Sequence, residues 1–108
     1  MAKKPVLNIV TTQCKPEEEE RFNKWYNEVH VPMLLKFGRI RHAGRYKVIS
    51  EKTALPRYIA LYWFPSYQDF EEFEKSPELA AAIKEMIESW GRRIDTLTRV
   101  QYEIIKEW

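Results

Sequence analysis

The residues best suited to chemistry lie in one short run, WYNEVHVP, at positions 25–32. It contains His30, one of two histidines among the 108 residues. Because imidazole titrates close to neutral pH, His30 can accept or donate a proton under ordinary conditions. Tyr26 precedes it by four residues, so the two side chains share a helix face. The run therefore predicts a site that removes an acidic proton from a carbonyl or phenolic substrate, or returns one.

A second interpretation of His30 follows from the proline that ends the run. Pro32 lacks a backbone N–H, so it should kink or divide the helix near His30. The imidazole could then hydrogen-bond to a carbonyl that the kink leaves free, and would only stabilise the bend. The residues alone leave both roles open.

Aromatic side chains are abundant enough to line a pocket, since 14% of the residues are Phe, Trp or Tyr. An apolar wall of Tyr62, Trp63 and Trp90 would hold a flat ring and exclude water. We expect Tyr26 to contribute to the same site. Tyr62 is the tyrosine that we expect to donate a hydrogen bond to a substrate oxygen.

Two further polar residues are candidates for substrate binding. His42 could carry a second proton or donate a hydrogen bond to the substrate, and the alternative is a strand histidine at a subunit interface. Arg99 could meet a substrate carboxylate or an acidic residue of an interface.

Other residues with possible chemistry have simpler explanations. Cys14 needs a neighbouring base to act as a nucleophile, and we expect a surface thiol at the end of a strand. The densest basic run should be a solvated strand edge that discourages strand pairing, and it comprises Arg39, Arg41, Arg45 and Lys47.

The overall composition excludes several classes of protein. The 18 basic and 16 acidic residues are interspersed and give a net charge of +2, which does not indicate nucleic-acid binding. A single cysteine permits no internal disulfide, and no spacing matches a metal site. Three isolated glycines form neither a phosphate-binding loop nor a nicotinamide fingerprint, so we expect no nucleotide cofactor. Without a long apolar run we expect no membrane span or signal peptide, and a cytoplasmic location.

The elements that must position these residues alternate along the chain. Short β-branched runs predict strands, and apolar spacings of three and four predict helices. Proline and acidic residues at 16–20 start the first helix, Ser66 and Ser76 cap the second, and Gly38 and Gly91 end the two helices. The predicted order is strand 6–13, helix 16–38, strand 40–50, loop 51–57, strand 58–64, helix 66–91 and strand 92–106.

This β-α-β-β-α-β order predicts one domain over residues 1–108 with a ferredoxin-like α+β fold. Its four-stranded antiparallel sheet would carry both helices on one face. In the last strand we expect one side to hold Thr96, Thr98, Val100, Tyr102 and Ile104. The third strand is apolar on both faces, whereas a half-exposed strand should alternate apolar with polar residues. A second copy of the chain should therefore cover the other face.

Four features together resemble a known family: the element order, WYNEVHVP, the RYIALYWF strand at 57–64 and the Ser-Pro-Glu restart at 76–78. They are similar to the dimeric α+β barrel superfamily, most closely its EthD-like branch. That branch carries a Trp-Tyr-x-x-x-His-x-Pro signature in its first helix and a Tyr-x-x-x-Tyr strand before its second.

The resemblance implies the fold, a homodimer and a functional role for His30. The superfamily includes cofactor-free monooxygenases, polyketide cyclases, lactone isomerases, haem-degrading enzymes and members with no known role. We therefore predict a small cofactor-independent isomerase, cyclase, decarboxylase or monooxygenase, acting on an aromatic, polyketide-like or lactone molecule. The alternatives are a non-catalytic dimeric module that binds a hydrophobic ligand or a partner, and a haem-binding member.

Overall fold

The computed structural model describes residues 3–50 and 53–108, so residues 51–52 of the predicted 51–57 loop lie outside the described residues. A 3₁₀ turn (Pro16–Glu18) and a π-helical turn (Tyr26–His30) flank the first α-helix. The strands and α-helices are β1 (Val6–Cys14), α1 (Glu19–Trp25), α2 (Val31–Leu35), β2 (His42–Lys47), β3 (Tyr58–Phe64), α3 (Tyr67–Glu74), α4 (Pro77–Trp90) and β4 (Ile94–Glu103).

The four strands form one antiparallel sheet in the order β2-β3-β1-β4, as the predicted ferredoxin-like α+β fold requires. The helices pack on one face, which we call the covered face. It is formed by alternate residues such as Val6 and Asn8 of β1 and Tyr62 and Phe64 of β3, all of them buried. The remaining alternate residues form the open face.

The helix boundaries follow the predicted signals. The Ser66 and Ser76 hydroxyls accept hydrogen bonds from the backbone N–H groups of Asp69 and Leu79, each at 3.1 Å. Gly38 and Gly91 follow their helices with positive φ angles of 84° and 57°, a conformation that favours glycine. The predicted caps and stops are therefore confirmed.

Aromatic rings dominate the core between the helices and the covered face. Phe22 is fully buried and packs on Tyr26, Tyr58 and Trp90 with ring centroids 5.4–6.0 Å apart. Such tilted and edge-to-face pairs stabilise a core beyond the apolar area that they bury. This cluster fixes the first helix against the sheet.

Three local expectations were wrong. Cys14 is a buried residue rather than a surface thiol, because it shares the covered face with Thr12. Burial, followed by the charges of Glu19 and Glu18, raises the pKa of this thiol and makes it a poor nucleophile.

The second error concerns Thr96 in β4. A register shift between Thr11 and Thr12 pairs Thr12 with Thr96, so Thr96 lies on the covered face and not on the same face as Thr98.

The third error concerns the basic run around β2. Arg45 is not part of a solvated edge, because it lies across Tyr26 and hydrogen-bonds to Asn23 and Asn27. Arg39 is also engaged, since it bonds to Asp69 and Glu72 on α3. The strand itself covers only His42–Lys47 of the predicted 40–50.

Candidate functional site

A cavity of about 250 Å³ lies between the helices and the covered face of the sheet. Both layers and the π-helical turn contribute side chains to it. Its lining consists of Asn8, Val10, Thr12, Tyr26, His30, Leu34, Tyr62, Phe73, Leu79, Ile83, Met86, Ile94, Thr96 and Arg99. Most of these residues are apolar, and a few polar groups converge on the same space, as in many small-molecule sites.

The π-helical turn determines where His30 lies along the first helix. The Val31 N–H donates to the Tyr26 carbonyl, five residues back, instead of to the carbonyl four residues back. Pro32 follows directly and cannot donate at all. The predicted interruption near His30 is thus confirmed, in the form of a π-helical turn that both Tyr26 and His30 belong to. Such turns are frequent at functional sites.

The His30 imidazole is held between two aromatic rings. It stacks on Trp25 at 4.9 Å with an interplanar angle of 27°, and Tyr26 meets it edge-on at 4.9 Å. Trp25 is itself fixed by a 2.9 Å hydrogen bond from its indole N–H to Glu85 of α4. The imidazole is 8% exposed, and its Nδ1 has no hydrogen-bond partner among the described residues.

This environment favours the neutral form of the imidazole. Burial lowers the pKa of His30 from 6.5 to about 4, and Arg45 adds to that effect while Glu85 opposes it. At neutral pH the ring is therefore uncharged and can accept a proton. The bracing role requires a hydrogen bond to a freed carbonyl, and Nδ1 makes no such bond to a described residue.

Two tyrosines, Tyr26 and Tyr62, line the cavity together with His30. Burial is the main cause that raises the pKa of Tyr26, and it raises the pKa of Tyr62 well above the ordinary value. Both phenols therefore stay protonated and can donate hydrogen bonds. The hydroxyls influence each other, but Tyr62 Oη is buried without a partner in hydrogen-bond geometry within the described part of the chain.

Polar residues of β1 and β4 complete the sheet side of the cavity. Asn8 is 1% exposed and accepts a 3.0 Å hydrogen bond from the Gln101 amide. Arg99 lines the cavity and lies 3.4 Å from the Glu74 carboxylate, with both side chains partly exposed. Sequence reasoning missed Asn8 and Thr12, although polar residues at the covered-face positions of a mostly apolar strand were a usable signal.

The structure does not bring all the predicted site residues together. Tyr26, His30, Tyr62 and Arg99 line one cavity. Trp63 follows Tyr62 directly, so it lies on the open face, because successive strand residues point to opposite sides.

His42 and Trp90 also lie outside the cavity lining. His42 pairs with Trp63 in the register of β2 and β3, so it is an exposed residue of the open face. Trp90 is buried behind Trp25, with ring centroids 5.8 Å apart, and reaches His30 only through that ring.

The described residues of the site form no metal centre, and the cavity is small. The described residues contain no cluster of three His, Cys, Asp or Glu side chains that could hold a metal ion. A cavity of about 250 Å³ is smaller than the ~300–1,000 Å³ of pockets for drug-sized ligands. In residues 3–50 and 53–108, no helix has the length and apolar character needed to span a membrane.

The sequence model of one known family matches nearly the whole chain. The sequence model of DUF4286, a domain of unknown function, matches residues 6–104. The chain belongs to the DUF4286 family. No curated protein matches this DUF4286 chain in sequence.

Solved structures resemble the DUF4286 chain over almost its full length. An ethyl tert-butyl ether D (EthD) family protein from Bacillus halodurans C-125 has 14% identity and a TM-score of 0.71, covering 94% of this chain and 99% of its own. A dimeric protein of unknown function with a ferredoxin-like fold, from Bacteroides fragilis NCTC 9343, has 19% identity and a TM-score of 0.68, covering 93% and 96%.

An enzyme is among these neighbours of the DUF4286 chain. Hydroxynitrile lyase from Passiflora edulis has 14% identity and a TM-score of 0.67, and the match covers 97% of each chain. The likenesses confirm the predicted ferredoxin-like fold and the resemblance to EthD-like and dimeric α+β barrel proteins. At these identities they establish the fold alone.

Proposed function

We propose that this protein is a small enzyme that moves a proton within an aromatic, polyketide-like or lactone molecule, with His30 as the acid–base residue and no bound cofactor. One observation carries the proposal: His30, a buried and neutral imidazole whose Nδ1 has no hydrogen-bond partner among the described residues, is one of the residues that line a cavity of ligand size. An unpaired polar atom in such a place costs stability, so it needs a reason other than folding.

The reaction that these residues suit begins with loss of a proton from the substrate. His30 takes a proton from a carbon next to a carbonyl, and the electron pair of that C–H bond moves onto the carbonyl oxygen. The Tyr62 hydroxyl donates a hydrogen bond to the resulting enolate. His30 then returns the proton to a different atom, so that the product is an isomer of the substrate and all atoms balance. Ring closure or decarboxylation would proceed through the same type of anion.

The cavity limits the size and polarity of the substrate. An engineered apolar cavity of about 150 Å³ binds benzene, so 250 Å³ corresponds to a molecule of one or two rings. Leu34, Phe73 and Leu79 supply apolar walls for the ring. Arg99 offers a cation for a carboxylate or another anionic group at the partly exposed side of the cavity.

The structural neighbours support catalysis on this fold without naming the reaction. The Passiflora protein of the same fold is described as a hydroxynitrile lyase, so the architecture accommodates an active site. Because one fold hosts many activities, the specific proposal depends on the His30 site. A reducing, cytoplasmic setting is proposed as well, since Cys14 is a free and buried cysteine.

We further propose that the protein is a homodimer joined through the open face. That face carries Ile9, Leu61 and Trp63, which are only partly buried, and Tyr102 of β4 is 54% exposed. Contiguous apolar surface of this kind is typical of an association surface. The Bacteroides neighbour, described as dimeric, supports the proposal.

The test is deuterium exchange into small carbon acids, followed by NMR in D₂O. The probes are 2-indanone, 2-tetralone and α-angelica lactone, which carry acidic protons next to a carbonyl and have one or two rings. We expect the wild-type protein to accelerate exchange in at least one probe. His30→Gln should remove about two orders of magnitude or more of that acceleration, as loss of an acid–base residue does. Glu28→Gln, which changes an exposed residue of the same turn outside the cavity lining, should keep it.

Other results would favour the alternatives. Saturable binding of a probe with no exchange in the wild-type protein would indicate a ligand-binding module and contradict catalysis at His30. A haem titration that produces a protein-dependent absorption band in the visible-blue region, lost in His30→Ala, would indicate a haem protein instead.

A further inference from the structure

Arg45 has an unusual environment for a basic residue on an edge strand. Its guanidinium donates to the side-chain oxygens of Asn27 at 2.7 Å and Asn23 at 3.0 Å. It also lies over the Tyr26 ring, 4.2 Å from the centroid. Within the described ranges, no carboxylate forms an ion pair with it. A partly buried cation of this kind normally has an acidic partner.

The contacts of Arg45 all fall on the part of the first helix that carries the site. Asn23 belongs to α1, whereas Tyr26 and Asn27 belong to the π-helical turn. Tyr26 in turn packs edge-on against His30 at 4.9 Å. A continuous path of direct contacts thus runs from the guanidinium through one aromatic ring to the imidazole.

We infer that Arg45 is a positioning residue for the acid–base site: it holds the π-helical turn on the sheet and fixes Tyr26 and His30 in a cationic environment. The planar fork of arginine suits this task, because it bonds two amide oxygens and stacks on a ring at the same time. A lysine would supply the charge without the fork. The catalytic consequence of this inference rests on the proposed function, whereas the effect on His30 itself does not.

Charged and titratable groups approach the site from each element around it. Glu85 of α4 acts on His30 with the opposite sign to Arg45. Tyr26 contacts the imidazole from its own turn, and Tyr62 of β3 and Arg99 of β4 line the same cavity. Because Glu85 is also bonded to the indole of Trp25, its position does not depend on Arg45. A change in Arg45 alone should therefore leave the opposing charge in place.

The experiment is an NMR titration of the His30 imidazole in Arg45→Met, Arg45→Lys and the wild-type protein. The His42→Gln variant identifies the His30 signals. In Arg45→Met we expect the His30 midpoint to rise by about half a pH unit or more, because a nearby cation is lost. In Arg45→Lys the midpoint should stay closer to that of the wild-type protein, while the Tyr26 ring signals shift. Arg41→Met, which removes an exposed arginine four residues earlier, should change neither.

An unchanged His30 midpoint in a folded Arg45→Met protein would overturn the inference. If that variant does not fold, Arg45→Gln removes the charge and keeps a polar side chain. A raised His30 midpoint in Arg45→Gln would then support the inference, and an unchanged midpoint would overturn it. Asn27→Ala removes one hydrogen bond between Arg45 and the π-helical turn, and it should shift the Tyr26 signals with the charge still present. Because the titration needs no substrate, it distinguishes a failure of this inference from a failure of the proposed enzyme activity.

Discussion

The two faces of the sheet are built from the same four strands and have opposite contents. The covered face holds buried polar groups among its apolar residues, including Asn8, Thr12 and the Tyr62 hydroxyl. The open face presents apolar side chains such as Leu61 and Trp63 that remain partly exposed. Strand β3 contributes to both faces, because successive side chains of a strand point to opposite sides. Its tyrosines lie on the covered face, and its Ile, Leu and Trp lie on the open face.

This difference assigns separate tasks to the two faces. Polar groups between helices and sheet cost stability unless they are paired, so their presence indicates a site. Covering exposed apolar groups with a second surface removes them from water and is favourable, so such groups indicate association. The cavity and the proposed dimer contact therefore lie on opposite sides of one thin layer.

The largest expected effect is loss of the dimer when a charge enters the open face. Leu61→Glu places a carboxylate among apolar side chains that a second copy would bury, and an unpaired buried charge is costly. Light scattering should give the dimer mass for the wild-type protein and the monomer mass for Leu61→Glu. Lys24→Glu, an exposed change on α1, should leave the dimer intact. A wild-type protein of monomer mass would contradict the assignment of the open face.

A large loss of stability should follow truncation of the covered face. Phe22→Ala removes a fully buried ring from the aromatic cluster, and we expect a cost of about 3–5 kcal/mol in the free energy of unfolding. Ile59→Ala on the open face should cost less, and because it weakens the dimer, its loss of stability relative to the wild-type protein should change with protein concentration. Urea unfolding at two protein concentrations checks both. Equal, concentration-independent losses would show that the two faces do not differ in this way.

Acid should destabilise the protein through His30. Its pKa is about 4 in the folded chain and 6.5 ordinarily, so between these values the unfolded chain binds more protons. The free energy of unfolding should therefore fall as the pH falls from about 6.5 to about 4, by up to about 3 kcal/mol. In His30→Gln this contribution should be absent. If the two proteins lose stability in parallel over that range, His30 is not buried in its neutral form.

The smallest effect distinguishes two tyrosines of the covered face. The Tyr58 hydroxyl accepts from Asn23 at 3.1 Å and donates to Glu19 at 3.0 Å, so Tyr58→Phe should cost about 1–3 kcal/mol. The Tyr62 hydroxyl has no such partner in the described chain, so Tyr62→Phe should stay within about 0.5 kcal/mol of the wild-type protein. Thermal or urea unfolding compares them. A similar loss in both variants would mean that Tyr62 is bonded for stability and not available to a substrate.

The fold was predictable because its signals are local. Serine caps, glycine stops and the proline inside the first helix act within a few residues, and the element order follows from them. The strand bulge was not predictable, because the register of Thr12 and Thr96 depends on pairing with a distant strand. That one shift moved Thr96 to the covered face.

The site was predictable only in part. His30 and Tyr26 share one turn, so their proximity could be inferred from spacing. Trp63 could have been excluded, because adjacent strand residues such as Tyr62 and Trp63 cannot line the same side. Arg45 was missed, because its contacts with Asn23, Asn27 and Tyr26 join elements that only the tertiary structure brings together.

The most direct test of the central claim is the pH dependence of His30-dependent deuterium exchange into an active probe. A base whose pKa is about 4 is about nine-tenths neutral at pH 5, so the His30-dependent rate should fall only slightly between pH 7 and pH 5. A fall of about 20-fold or more over the same range would match a solvated imidazole instead. That result, or an equal rate in His30→Gln, would contradict a buried neutral base in this cavity.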